Sequence, residues 1–258
     1  METLQVERDG GIVTVTLNKP EKKNAVDPTQ WAEMAKIWDD IARNPRRDRA
    51  VIVTGAGGDF CSGADLWLEP GEEPPHQITA MRSVAKAIQG LHDLPQPTIA
   101  KVPGVAAGAG CSLALACDLV VAGAAARFSM IFAKRGLALD GGASWLLPRL
   151  LPLHKAKELA FFADILSAEQ AADFGLVNHV RPDDDLDGFV ADWATRLAAG
   201  PPIALGLTKR LLNDSYSRTL QEALEAEGMA QSITLASQDT KDAFAAFVQK
   251  RDPDFQGR

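Results

Sequence analysis

Several things are scarce in this chain, and each scarcity excludes something. Cysteine occurs three times in 258 residues, at Cys61, Cys111 and Cys117, each inside an apolar or small-residue run. That odd count suits a reducing compartment rather than a disulfide framework, so the cytosol is the expected location. No stretch reaches the roughly 18 uncharged apolar residues of a membrane span. The opening METLQVERDGG has no apolar core of the kind a secretory leader carries, and none is expected. Positive charge is in deficit: the formal net charge is −7, which argues against a nucleic-acid partner. A phosphate-bearing ligand stays open, because a few local lysines suffice. The four histidines (His76, His92, His154 and His179) show no ligand spacing, and no metal site is expected. Gly55-Ala56-Gly57-Gly58-Asp59 lacks the Gly-Lys-Ser/Thr ending of a phosphate-binding loop, and no G-x-G-x-x-G occurs there.

What is present is organised around residues 99–122, IAKVPGVAAGAGCSLALACDLVVA. Two apolar runs flank Gly104-Val105-Ala106-Ala107-Gly108-Ala109-Gly110, where hardly any side chain has bulk. The backbone itself must therefore approach something there. The following Cys111–Cys117 run is nearly all apolar and reads as a buried helix. A glycine-rich turn opening into a buried helix suits negative charge. Charge that develops only during a reaction would make that turn half of an oxyanion hole.

Along the chain, GIVTVTL (11–17) alternates and is β-branched, which predicts a strand. Asp27 followed by Pro28 predicts a capped helix running to about Arg43. Ala50–Thr54 predicts a short buried strand, and a helix is expected from about His76 to Leu91, with His92 at its surface end. Arg127–Gly136 reads as a strand leading into a helical turn. Asp140-Gly141-Gly142 opens a helix to about Leu150, and a further helix is expected over 152–163. Ser167–Gln170 has the capping-box pattern, and a closing strand follows at 178–181. From residue 184 onward the pattern is helical, with breaks at Gly200-Pro201-Pro202 and Asn213-Asp214-Ser215.

Four segments carry a resemblance to the crotonase (enoyl-CoA hydratase/isomerase) family: FCSGADL (60–66), PGVAAGAGCSLALACDL (103–119), GLALDGG (136–142) with LPRL (147–150), and LSAEQA (166–171) with FGLV (174–177). They span nearly the whole chain in the family's order. The run around Asp140 is most similar to the phenylacetate-pathway isomerase-like members. The resemblance implies an α/β fold, a crotonase-type spiral of ββα units over 1–182, with an all-helical C-terminal segment over 183–258. That segment would pack on neighbouring subunits in a homotrimer or a dimer of trimers. The substrate would be an acyl-CoA carried as the thioester, with no prosthetic group. The amides of Ala64 and Ala109 would be the two oxyanion donors. Lys22, Ala25, Ala64, Asp65 and Leu66 would contact CoA, with Phe247 and Lys250 reaching its adenine end across a subunit boundary. The helix after the acidic loop 69–75 would wall the acyl pocket.

Hydratases of the family use two glutamates; the matching positions here hold Ser112 and Phe132. A phenyl ring moves no protons, and a serine hydroxyl is a poor base at neutral pH. Asp140 is the carboxylate that remains, so the resemblance favours an isomerase that shifts a double bond with Asp140 as acid/base. The histidine that dehalogenating relatives use is matched by Ala85. Two readings of Asp140 stay open at this level: helix cap or base. A helix dipole would lower its pKa, whereas Met130, Phe132, Leu139 and Trp145 could exclude water and raise it. Other functions also remain: hydration by a non-standard mechanism, a non-catalytic acyl-CoA binder, or a hydrolase using Gly110-Cys111-Ser112-Leu113-Ala114 with His154 or His179.

Overall fold

A computed structural model describes residues 3–65 and 76–258. Leu66 and the acidic loop over 69–75 lie outside the described residues. The chain opens with an antiparallel hairpin of β1 (Leu4–Asp9) and β2 (Ile12–Leu17), in which Asp9 faces Ile12. Gly10 and Gly11 both have positive φ, +54° and +84°, which a two-residue hairpin loop with matching twist requires. The β1 strand is an addition to the sequence reading, whose strand began only at Gly11.

Helix α1 (Pro28–Arg43) starts as the sequence predicts. The Asp27 side chain accepts from the Gln30 amide while the Gln30 side chain accepts from the Asp27 amide. Next come β3 (Ala50–Gly55), α2 (Gln77–His92), β4 (Thr98–Val102), β5 (Val105–Ala107), α3 (Ala109–Leu115), β6 (Leu119–Gly123) and β7 (Arg127–Ser129). A 3-10 turn (Ile131–Arg135) leads to α4 (Ala143–Leu150) and α5 (Leu153–Phe162). Then β8 (Leu166–Ser167), α6 (Ala168–Asp173) and β9 (His179–Arg181) precede four helices: α7 (Leu186–Ala199), α8 (Pro202–Asp214), α9 (Leu220–Ala236) and α10 (Gln238–Gln249).

Six strands form one sheet in the order β1-β2-β3-β4-β6-β9, parallel from β2 onward. Successive side chains on a strand point to opposite faces, so apolar runs such as Ala50–Thr54 feed two cores at once. Val51 and Val53 join Trp31, Met34, Trp38 and Ile41 of α1 and Val84, Ile88 and Leu91 of α2. Ile52, Ile99 and Val121 point the other way and meet Leu186, Val190 and Ala194 of α7. The first of the four C-terminal helices thus covers the back of the sheet. Helices α9 and α10 instead leave Met229, Ile233, Phe244 and Val248 exposed. Among the described residues no helix is long and apolar enough to cross a membrane.

A smaller sheet, β5-β7-β8, corrects one expectation. Residues 105–107, read from sequence as part of a turn, form a strand parallel to β7. The small residues around it serve close backbone packing: a Cβ at Gly104 would meet the Gly58 carbonyl, and one at Gly110 the Cys61 carbonyl.

Candidate active site

The site begins where two segments run side by side. Cys61 and Ala106 form a parallel bridge: the Cys61 N–H donates to Val105 O at 2.8 Å, and the Ala107 N–H donates to Cys61 O at 2.9 Å. Parallel segments advance together, so Ala64 and Ala109, each three residues further on, come level. Gly63 (φ +111°) and Gly108 (φ +53°) turn the two backbones at that point. A Cβ at Gly63 would lie 3.0 Å from Ala107 O and 3.7 Å from Ala109 N.

The neighbouring amides are already engaged. The Gly108 N–H donates to Ser129 O at 2.9 Å, and the Asp65 N–H donates to Val26 O at 2.9 Å. Extended backbone alternates its donors, so the Ala64 N–H points away from Val26. Ala109 is the first residue of α3, where an N–H has no intrahelical partner. Neither the Ala64 nor the Ala109 amide has an acceptor among the described residues. Both residues line one cleft of about 460 Å³, together with Lys22, Ala25, Phe132 and Asp140.

Asp140 is not a helix cap, which corrects one of its two readings. The N-cap of α4 is Gly142, at φ +78° and with no side-chain hydrogen bond. The two glycines place the helix start beyond the reach that capping by Asp140 would need. Its backbone carbonyl accepts from Ser112 Oγ at 3.1 Å and from the Ala143 N–H at 3.1 Å. The side chain is left over: Oδ1 is buried with no hydrogen-bond partner among the described residues. Burial pushes the carboxyl above the ordinary aspartate pKa, so desolvation wins over any helix dipole. Gly141 permits this approach. It sits at φ +57°, and a Cβ there would lie 2.8 Å from Ser112 Cβ.

Ser112 is fully buried within α3, and its hydroxyl is held by Gly108 O and Asp140 O. His179 stands on β9 with its ring against Phe189 and Trp193, and His154 lies on α5. Among the described residues neither is hydrogen-bonded to Ser112, whose hydroxyl meets two backbone carbonyls instead, so the hydrolase reading lacks its base. All three cysteines are buried free thiols with pKa pushed up to about 12 by burial, which leaves them inert. Among the described residues no cluster of three or more His, Cys, Asp or Glu is placed to hold a metal ion.

Asp65 has a partly structural place. Its nearly buried carboxylate accepts from Lys22 Nζ at 2.8 Å and Lys19 Nζ at 3.3 Å. Burial opposes the charge on Lys19, but Asp27 and Asp65 outweigh it and push the Lys19 pKa up. Phe247 and Lys250 stand exposed at the end of α10, and neither lines the cleft. The sequence reading missed Ile131, Arg135 and Leu137, which complete the cleft wall from the 3-10 turn and the residues after it.

A second cavity of about 550 Å³ adjoins the first. Val84 and Ile88 of α2 and Trp145 and Leu146 of α4 wall it, and Asp140 lines both spaces. Ala85 also faces it and can supply no base.

Residues 7–258 match the family model described as enoyl-CoA hydratase/isomerase. The 1,2-epoxyphenylacetyl-CoA isomerase of Escherichia coli (strain K12) is 37% identical over 262 residues, covering 100% of both chains. The 2,3-dehydroadipyl-CoA hydratase of the same strain is 32% identical over 258 residues, again covering 100% of both. Among solved structures, an enoyl-CoA hydratase from Polaromonas sp. JS666 superposes with a TM-score of 0.91 at 36% identity, covering 98% of this chain and 99% of that one.

Proposed function

Because this chain belongs to the enoyl-CoA hydratase/isomerase family, we propose that it is an enoyl-CoA isomerase that works through a thioester enolate. The acyl group arrives as its CoA thioester, and no prosthetic group takes part. The thioester oxygen sits between the N–H groups of Ala64 and Ala109, an oxyanion hole in which each donor contributes about 3–4 kcal/mol to the transition state. Asp140 takes a proton from an acyl carbon, and the electron pair spreads onto that oxygen. The same proton returns to a carbon further along, so the double bond moves and nothing is gained or lost.

One observation carries this reading: Asp140, whose buried Oδ1 has no partner among the described residues, lines the cleft that holds the two unspent amides. A desolvated aspartate is a stronger base than a solvated one, and an oxyanion hole lets even a modest base suffice. Hydration is the second reading, favoured by the likeness to a hydratase. Against it stand Ser112 and Phe132, since a hydratase needs a second proton-transfer group where this chain has a spent hydroxyl and a ring.

The CoA moiety would run past Lys22 and Ala25, with Ala64, Asp65 and Leu66 at its thioester end. Phe247 and Lys250 would meet its adenine from a neighbouring subunit, which is why they stand away from the cleft of their own chain. The spiral core over 1–182 and the helical segment over 183–258 would then associate as a homotrimer or a dimer of trimers. The exposed apolar residues of α9 and α10 support that arrangement.

The test is a panel of 2-enoyl, 3-enoyl and aryl CoA esters. Conversion of a 3-enoyl to a 2-enoyl ester, read by the absorbance of the conjugated thioester, is expected. Tight binding without turnover of any ester would make the protein a binder, and water addition to a 2-enoyl ester would make it a hydratase.

A further inference from the structure

The second cavity changes character along its length. Beside Asp140 its wall is apolar: Val84, Ile88 and Leu146. Toward the C-terminal ends of α2 and α8 it is lined by Gln89, His92, Asp93, Asn213 and Asp214. His92 is half-buried there, its ring held edge-on to Trp145 at 5.2 Å and 79°. Neither of its ring nitrogens has a hydrogen-bond partner among the described residues. A polar ring fixed in orientation beside an apolar space, with no partner of its own among the described residues, is free to hydrogen-bond whatever enters that space.

We propose that this cavity selects acyl groups that are apolar beside the thioester and carry an uncharged hydroxyl at their far end, with His92 as the specificity-determining residue. The inference rests on the preceding reading in one respect, that the acyl chain passes Asp140 into this space. A hydroxyl fits because it both donates and accepts. Burial is the largest influence on His92 and holds it below its ordinary pKa; Asp93 and Asp118 pull it up, while Lys209 and Arg149 push it down. A neutral imidazole offers one donor and one acceptor. No lysine or arginine lines this cavity among the described residues, and Asp214 is already paired with Arg218, so a carboxylate-ended chain would find no counter-charge there. A methyl-ended chain would strip water from His92 and return nothing.

The test uses titration calorimetry with two saturated thioesters, octanoyl-CoA and 8-hydroxyoctanoyl-CoA, which bind without reacting. The protein is expected to hold the hydroxylated ester about fivefold more tightly, the scale of one net hydrogen bond. His92→Phe keeps the ring contact with Trp145 and should bring the ratio to one or below. His92→Gln, which keeps a donor and an acceptor, should restore part of the preference, and Asp140→Asn should retain it in full. Equal affinities in the unaltered protein, or a preference that survives His92→Phe, would overturn the proposal. A clear preference with no turnover of any 3-enoyl ester would leave it standing and remove the isomerase reading instead. Failure of both thioesters to bind would overturn the two together.

Discussion

Replacing Asp140 by asparagine separates catalysis from stability in opposite directions. The substitution keeps the shape of the side chain and removes its charge and its basicity. Proton transfer by a positioned side chain contributes about 10²–10⁴-fold, so isomerisation should fall by about that factor. Affinity for the CoA ester should stay within a few-fold, because the two amides and the apolar wall are untouched. Stability should rise. The unpartnered buried atom stays polar in asparagine, so the gain is only the difference between a desolvated charge and a neutral amide, about 1–3 kcal/mol. The residue is only half-buried, so the low end, about 1 kcal/mol, is the fair expectation. For a chain of this size that corresponds to a Tm gain of about 2–4 °C. The pH dependence has a definite sign. The folded pKa is raised, so the penalty is absent while the carboxyl is protonated, below the unfolded value of about 3.9. It develops as pH climbs through the raised folded pKa. The Tm difference between Asp140→Asn and the unaltered protein should therefore be small near pH 4 and open toward neutrality. Paired turnover assays and thermal melts across that range check both effects. Unchanged turnover would remove Asp140 from the mechanism, and a lower Tm at pH 7 would mean that its carboxylate is well solvated or paired.

Gly141→Ala should lower stability by about 2 kcal/mol, since it forces a side chain into left-handed backbone and against Ser112 Cβ. Turnover should suffer more than CoA-ester binding because Asp140 shifts with it; equal losses in both would contradict that. Lys22→Ala should raise KM for CoA esters more than it lowers kcat, with melting lowered only slightly because the nearly buried Asp65 carboxylate keeps Lys19 as its partner. An unmoved KM would place CoA elsewhere. Asp48→Asn tests the fold away from the site. Burial alone would raise the Asp48 pKa, but hydrogen bonds from Arg47 and Arg8 outweigh it and hold the carboxyl below its usual value. Its contribution is thus present above the unfolded pKa of about 3.9 and lost as pH falls through the folded one. The variant should lose about 2 kcal/mol at pH 7, read by denaturant melts, and the gap should close on acidification.

Much of this protein is written locally. The Asp27-Pro28 helix start and the Ser167–Gln170 capping box follow from signals only a few residues long, and the structure carries them as read. The four crotonase-like segments are equally legible, because glycine and alanine are required wherever backbones touch. Short strands were harder. β5 is three residues inside a run of small side chains and has no alternation to reveal it, since its pairing partners lie at Cys61 and β7. Whether Asp140 caps the helix or stands free of it was beyond sequence. Aspartate before two glycines is a cap by local rules. What frees it is Gly142 taking the N-cap, Ser112 holding its carbonyl from another helix, and burial of one carboxylate oxygen. Those contacts join residues far apart in the chain. The amino-acid order alone determined the family and which groups could act, because local pattern is read within a few residues. Only the tertiary structure decided which of those groups was left without a partner, because desolvation depends on everything packed around an atom.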